Sequence, residues 1–214
     1  MKKRLLMAAA LAALTPLMAS AASVDLTVTG TVVPTSCVPS FTGGSNVDLG
    51  RIHSAALSPT AQNDLPRRNV SLRIACTAPA AVAIRVSDNR FATKVSGLTF
   101  IGHTNNNHYY GLGSTQGVGI GGFGLIAGRP TANAYPRTLL VRTSGGGWEV
   151  PFVGMVANSL LYSWGDSASQ GPFAASQHIF PMQLAAVIRP TSQLPATTED
   201  YKLDGSVTFD MVYL

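Results

Sequence analysis

Apolar residues recur at every second position in several short runs of this chain, and no 3.6-residue period is sustained anywhere. Val24, Leu26, Val28, Gly30 and Val32 alternate with Asp25, Thr27, Thr29 and Thr31. The alternation predicts a strand over about residues 24–33 with one buried face. Residues 47–50 predict a short strand that ends in a turn. Residues 69–76 place Val70, Leu72, Ile74 and Cys76 on one face, and residues 81–86 do the same with Val82, Ile84 and Val86. Further strands are predicted over 138–142, 179–188 and 205–213, the last with Val207, Phe209, Met211 and Tyr213 on one face. The glycine-rich run 117–126 supports strand and loop readings alike. Short apolar runs punctuated by Gly and Pro predict an all-β chain, most simply a sandwich.

The segment ahead of the first run reads as an export signal. Met1-Lys2-Lys3-Arg4 is basic, residues 5–18 are apolar apart from Thr15 and Pro16, and Ala19-Ser20-Ala21 is a small-x-small cleavage site. Residues 1–21 are therefore assigned to a secretory signal peptide and excluded from the fold. The apolar run falls short of the roughly 20 residues that a membrane span needs. The predicted strand over 24–33 then lies at the mature N-terminus, where chains ordinarily fray. At the other end, residues 205–213 carry apolar side chains at alternate positions up to the last residue, Leu214. Both runs need a partner to bury them.

Charge and composition narrow the function classes. Removing residues 1–21 takes away Lys2, Lys3 and Arg4, so 12 basic residues face 10 acidic ones and the net charge falls from +5 to +2. Arg67-Arg68 is the sole basic doublet left, and nucleic-acid binding is not expected. Cys37 and Cys76 are the chain's two cysteines, and in an exported protein they are expected to close one disulfide. No metal site or cofactor is expected, because His53, His103, His108 and His178 show no ligand spacing with the cysteines. No enzyme is expected either. Ser114, Ser144 and Ser163 lack a nucleophile-elbow context, and the acidic residues form no pair suited to acid–base work. Gly119-Ile-Gly-Gly-Phe-Gly124 approaches a phosphate-loop pattern but has no helix after it. Trp148, Trp164, Tyr109, Tyr110 and Tyr162 lie in a loop-rich stretch and suit either a sugar-binding surface or a core.

The order of motifs resembles a structural subunit of a bacterial chaperone–usher pilus. The resemblance rests on Gly30-Thr-Val-Val-Pro-Thr-Ser-Cys37, Val47-Asp-Leu-Gly50, Val70-Ser-Leu-Arg-Ile-Ala-Cys76, Gly117-Val-Gly-Ile120, and the final runs 180–188 and 205–213. The Gly- and Asn-rich middle and the low charge resemble the subgroup called β-fimbriae. The resemblance implies an incomplete immunoglobulin-like sandwich that lacks its last strand. It implies a domain order of signal peptide 1–21, N-terminal donor-strand extension 22–33 and pilin domain 34–214. Val24, Leu26, Val28, Gly30 and Val32 would form the donor face. Val207, Phe209, Met211 and Tyr213 would line the acceptor groove and the chaperone-binding edge. The implied partners are a periplasmic chaperone, an outer-membrane usher and other subunits of a cell-surface fimbrium. The implied role is a structural pilus subunit supporting adhesion. The alternative is a minor or tip pilin that binds a host glycan receptor directly, with residues 102–178 as decoration. The chain departs from the family at the fourteenth position from its end, where Tyr201 stands in place of a glycine.

Overall fold

The computed structural model describes Val24, residues 26–196 and residues 200–214. The proposed signal peptide, residues 1–21, lies outside the described residues, as do Ala22, Ser23 and Asp25 of the proposed extension. The chain divides at Val33 and Pro34.

Residues 34–214 are β throughout, with helix limited to single 3-10 turns among the described residues. The strands of five residues or more are β1 (Cys37–Phe41), β2 (Arg68–Ala80), β3 (Val82–Asp88), β4 (Gly121–Ala127), β5 (Thr138–Arg142), β6 (Leu161–Gly165), β7 (Ala175–Ile188) and β8 (Val207–Tyr213). One sheet runs β1-β2-β7-β4, with the two-residue strand Tyr110–Gly111 beside β4. The other runs β5-β6-β3-β8. Adjacent strands pair antiparallel in both. Leu72 and Ile74 of β2, Ile84 and Val86 of β3, Trp164 of β6 and Phe180 of β7 are all buried in one cluster between the sheets. The all-β sandwich expected from the period-2 runs is the fold of the protein.

Three features hold the sandwich in register. Cys37 and Cys76 form the expected disulfide and lie directly opposite each other in the β1–β2 ladder. The bond pins a five-residue edge strand to its neighbour. The Trp164 indole N–H donates to His178 Nδ1 at 2.8 Å, across the two sheets. An indole can only donate, so Nδ1 is the acceptor and Nε2 carries the proton, which points at the carbonyls of Ala175 (3.0 Å) and Ala80 (3.1 Å). Burial lowers the pKa of this imidazole, with the two carbonyl bonds opposing the shift. Gly121 marks a close approach, since a Cβ there would fall 2.0 Å from the Val187 carbonyl oxygen.

The predicted strands over 69–76, 81–86, 138–142, 179–188 and 205–213 all correspond to observed ones. The ambiguous run 117–126 resolves into β4 and a short hairpin of Ser114–Thr115 with Val118–Gly119. Two expectations need correction. Residues 26–33 form no strand, since they pair with no other backbone among the described residues, and the first strand described begins at Cys37 rather than near Gly30. Residues 47–50 are irregular and have no ladder partner among the described residues, although the predicted turn is present. There Gly50 has φ +76°, and its N–H donates to Asp48 Oδ1 at 2.8 Å. The stretch 102–178, whose role the sequence left open, supplies β4, β5 and β6.

Candidate functional site

β1 and β8 are edge strands of the two sheets. Strand β8 pairs with β3 from Val207↔Asp88 to Tyr213↔Val82. Among the described residues no strand pairs with its other edge, and β1 likewise pairs only with β2. An unpaired edge presents a row of backbone donors and acceptors. The inward side chains Val207, Phe209 and Met211 are half-buried, whereas those of the inner strand β3, Val82, Ile84 and Val86, are at most 1% exposed. The core is thus less complete beside β8 than one strand further in.

The edges meet along part of their length. Phe41 and Phe209 pack edge to face with centroids 5.1 Å apart. The Cys37 backbone N–H donates to the Tyr213 hydroxyl at 2.7 Å. β1 ends at Phe41, and on the Val207 side of Phe209 lies a cleft of about 1090 Å³. Phe41, Val70, Leu125 and Leu184 of the first sheet and Val207 and Phe209 of β8 face it. These apolar residues belong to the domain core, and polar and charged residues, among them Asp48, Arg51, Asp200, Lys202 and Asp204, also line the cleft.

The residues expected to form the groove therefore take different places. Val207 and Phe209 line the cleft, Met211 packs against the main core, and Tyr213 bridges to β1 where the cleft is shut. The residues expected to form a donor face lie outside any strand. Val24, Leu26, Val28 and Val32 are 96, 90, 86 and 98% exposed, and Gly30 is exposed as well. A row of β-branched and aliphatic side chains in water is an unsatisfied apolar surface.

The aromatic residues considered for sugar binding are mostly interior. Tyr109, Tyr110, Tyr162 and Trp164 are each at most 2% exposed, and only Trp148 is partly open, beneath Arg142. The Tyr110 hydroxyl donates to the Val156 carbonyl at 2.8 Å, and burial pushes its phenol well above the usual range. Sequence reasoning missed β6, which carries Tyr162, Ser163 and Trp164. All five of its residues are buried, so no alternation marks it. Its cue is the concentration of Leu, Tyr and Trp in five positions. No cluster of three metal-ligating side chains occurs among the described residues.

Comparison with known proteins places the chain in a family. Residues 26–124 match a family described as Protein of unknown function (DUF1120). Protein GltF of Escherichia coli (strain K12) is 30% identical over 252 aligned positions, covering 100% of this chain and 99% of that protein. The chain belongs to the GltF family. The uncharacterized protein YhcF of the same strain is 24% identical over 239 positions, covering 99% and 98% of the two chains. The DUF1120 match begins at Leu26, within the exposed apolar segment, and runs through β1 to β3 into β4.

Proposed function

We propose that this GltF-family chain is a structural subunit of a surface fibre, assembled by strand donation with a periplasmic chaperone and an outer-membrane usher. The observation that carries the reading is the unpaired edge of β8 beside a cleft with apolar residues at its floor and polar ones around it, in a chain that also presents an exposed segment of alternating apolar residues. The occupant proposed for the cleft is residues 22–33 of a second copy of this chain. Strand addition to an edge supplies main-chain hydrogen bonds for affinity and side-chain pockets at every second position for specificity. Burying Val24, Leu26, Val28 and Val32 would contribute about 1.5–3 kcal/mol each before the cost of ordering the segment. Gly30 suits the place where the arriving backbone lies closest to the cleft wall.

The strand would enter where the cleft is open, at Val207, and advance toward Tyr213. It would part Phe41 from Phe209 and release the Cys37–Tyr213 bond as it goes. The chaperone would hold the same edge of β8 before assembly. This role calls for no catalytic group, metal or cofactor, and the protein would be exported and displayed on the cell surface. A tip subunit reading a glycan is less favoured, because four of the five aromatic residues proposed for it are interior.

The test is deletion of residues 22–32 with the chaperone co-expressed. The shortened chain is expected to form the chaperone complex and to lose self-assembly into polymers. Polymers formed unchanged would overturn the proposal.

A further inference from the structure

The sequence 47–50 has strand-like alternation, yet it pairs with nothing. Val47 and Leu49 are half-buried and line the same cleft as Phe209, while Asn46, Asp48 and Gly50 are exposed. Both pack against the main core cluster. Ile52 follows on the same side and packs against a second cluster that holds Ile120 and Ile188.

The backbone of this stretch is almost unattached. Among the described residues, no backbone–backbone hydrogen bond involves residues 45–52. The nearest ones bracket the stretch, Gly44 N–H to the Phe41 carbonyl at 3.2 Å and Ala56 N–H to the His53 carbonyl at 2.9 Å. Within it, the Gly50 N–H to Asp48 Oδ1 bond is local, and Arg68 Nε reaches the Asp48 carbonyl at 3.3 Å. The Arg51–Asp200 pair spans 4.0 Å with both side chains over 90% exposed, a geometry that contributes little. A segment held by a few apolar side chains, with its backbone bonds left to water, opens at low free-energy cost.

We propose that residues 45–53 form a displaceable flap, with Val47 and Leu49 occupying the open end of the cleft until an incoming strand takes their place. The proposal rests on the strand-docking reading above and adds its regulation. Apolar side chains of the flap cover the cleft floor in the free subunit, which keeps that floor from water and from indiscriminate partners. A strand that offers both apolar side chains and backbone hydrogen bonds displaces it, because the flap offers only the former. The flap therefore sets the rate of docking without supplying a bond that the docked state lacks.

The experiment uses the full chain, its Val47→Ser/Leu49→Ser variant, and Asp48→Ala, which removes the Gly50 cap without touching the core. The probe is a fluorescently labelled synthetic peptide of residues 22–33. Association rates are measured alongside amide hydrogen exchange of residues 45–53 and 207–213. The expected result is peptide capture by all three proteins, severalfold faster by both variants, with exchange of the flap amides accelerating as those of β8 become protected. Capture at equal rates, with flap exchange unchanged on binding, overturns the flap and leaves strand docking standing. Absence of capture by all three overturns the strand-docking reading itself, and the flap with it.

Discussion

At the scale of single residues, the Trp164–His178 bond and the Gly121 contact decide most about local stability. His178 is 1% exposed and neutral, with its acceptor nitrogen used by Trp164 and its proton used by main-chain carbonyls. Protonation would place a second N–H against the indole N–H. Its pKa in the folded protein lies below the value of about 6.5 for an exposed imidazole. The unfolded chain thus binds the proton more readily, and stability falls as pH drops below about 6.5 toward the folded pKa. The loss has a limiting slope of about 1.4 kcal/mol per pH unit for this group. His108, also lowered chiefly by burial, adds in the same direction. Urea midpoints between pH 7.5 and 5 should fall for the native chain and fall less for His178→Gln. Trp164→Phe should cost about 1–3 kcal/mol at neutral pH by leaving Nδ1 unsatisfied. At Gly121, alanine should destabilise by about 1–3 kcal/mol or more, since backbone rather than a movable side chain stands in the way. Thermal unfolding checks both.

At the scale of elements, a strand is legible in sequence when one face meets water and the other the core. β2, β3, β7 and β8 were readable for that reason, as Leu72, Ile84, Phe180 and Phe209 each sit in alternating runs. β6 is buried along all five residues and gave no period. Residues 24–33 and 47–50 show the opposite failure. Their alternation is present, but a strand exists only where another backbone completes its hydrogen bonds, and single-chain sequence does not say which backbone that is. The Cys37–Cys76 pairing followed from two cysteines in a chain expected to be exported, whereas the cleft depends on where β1 stops relative to β8, a tertiary relation that no local pattern encodes. Replacing both cysteines by serine should lower stability by roughly 3–4 kcal/mol for a loop of this length and loosen β1 along the cleft, seen as faster amide exchange over 37–41. Phe209→Ala combined with Tyr213→Ala should weaken capture by the chaperone, measured by co-purification, because one residue lines the cleft and the other anchors β8 to β1.

At the scale of the whole molecule, the sandwich has two complementary deficits. One is a cleft with an apolar floor beside an unpaired edge, and the other is a row of exposed valines and a leucine with no ladder among the described residues. Each deficit is costly alone, and the proposed strand addition would remove both in one step. The account predicts that the domain is markedly more stable once the cleft is filled, because binding to the folded state alone stabilises it. The most direct measurement joins residues 22–33 to Leu214 through a short flexible linker and records thermal unfolding together with the size in solution. The account predicts a monomer whose melting temperature lies more than about 10 °C above that of the unmodified chain, as a gain of a few kcal/mol requires. An unchanged melting temperature with an unchanged size distribution would contradict it.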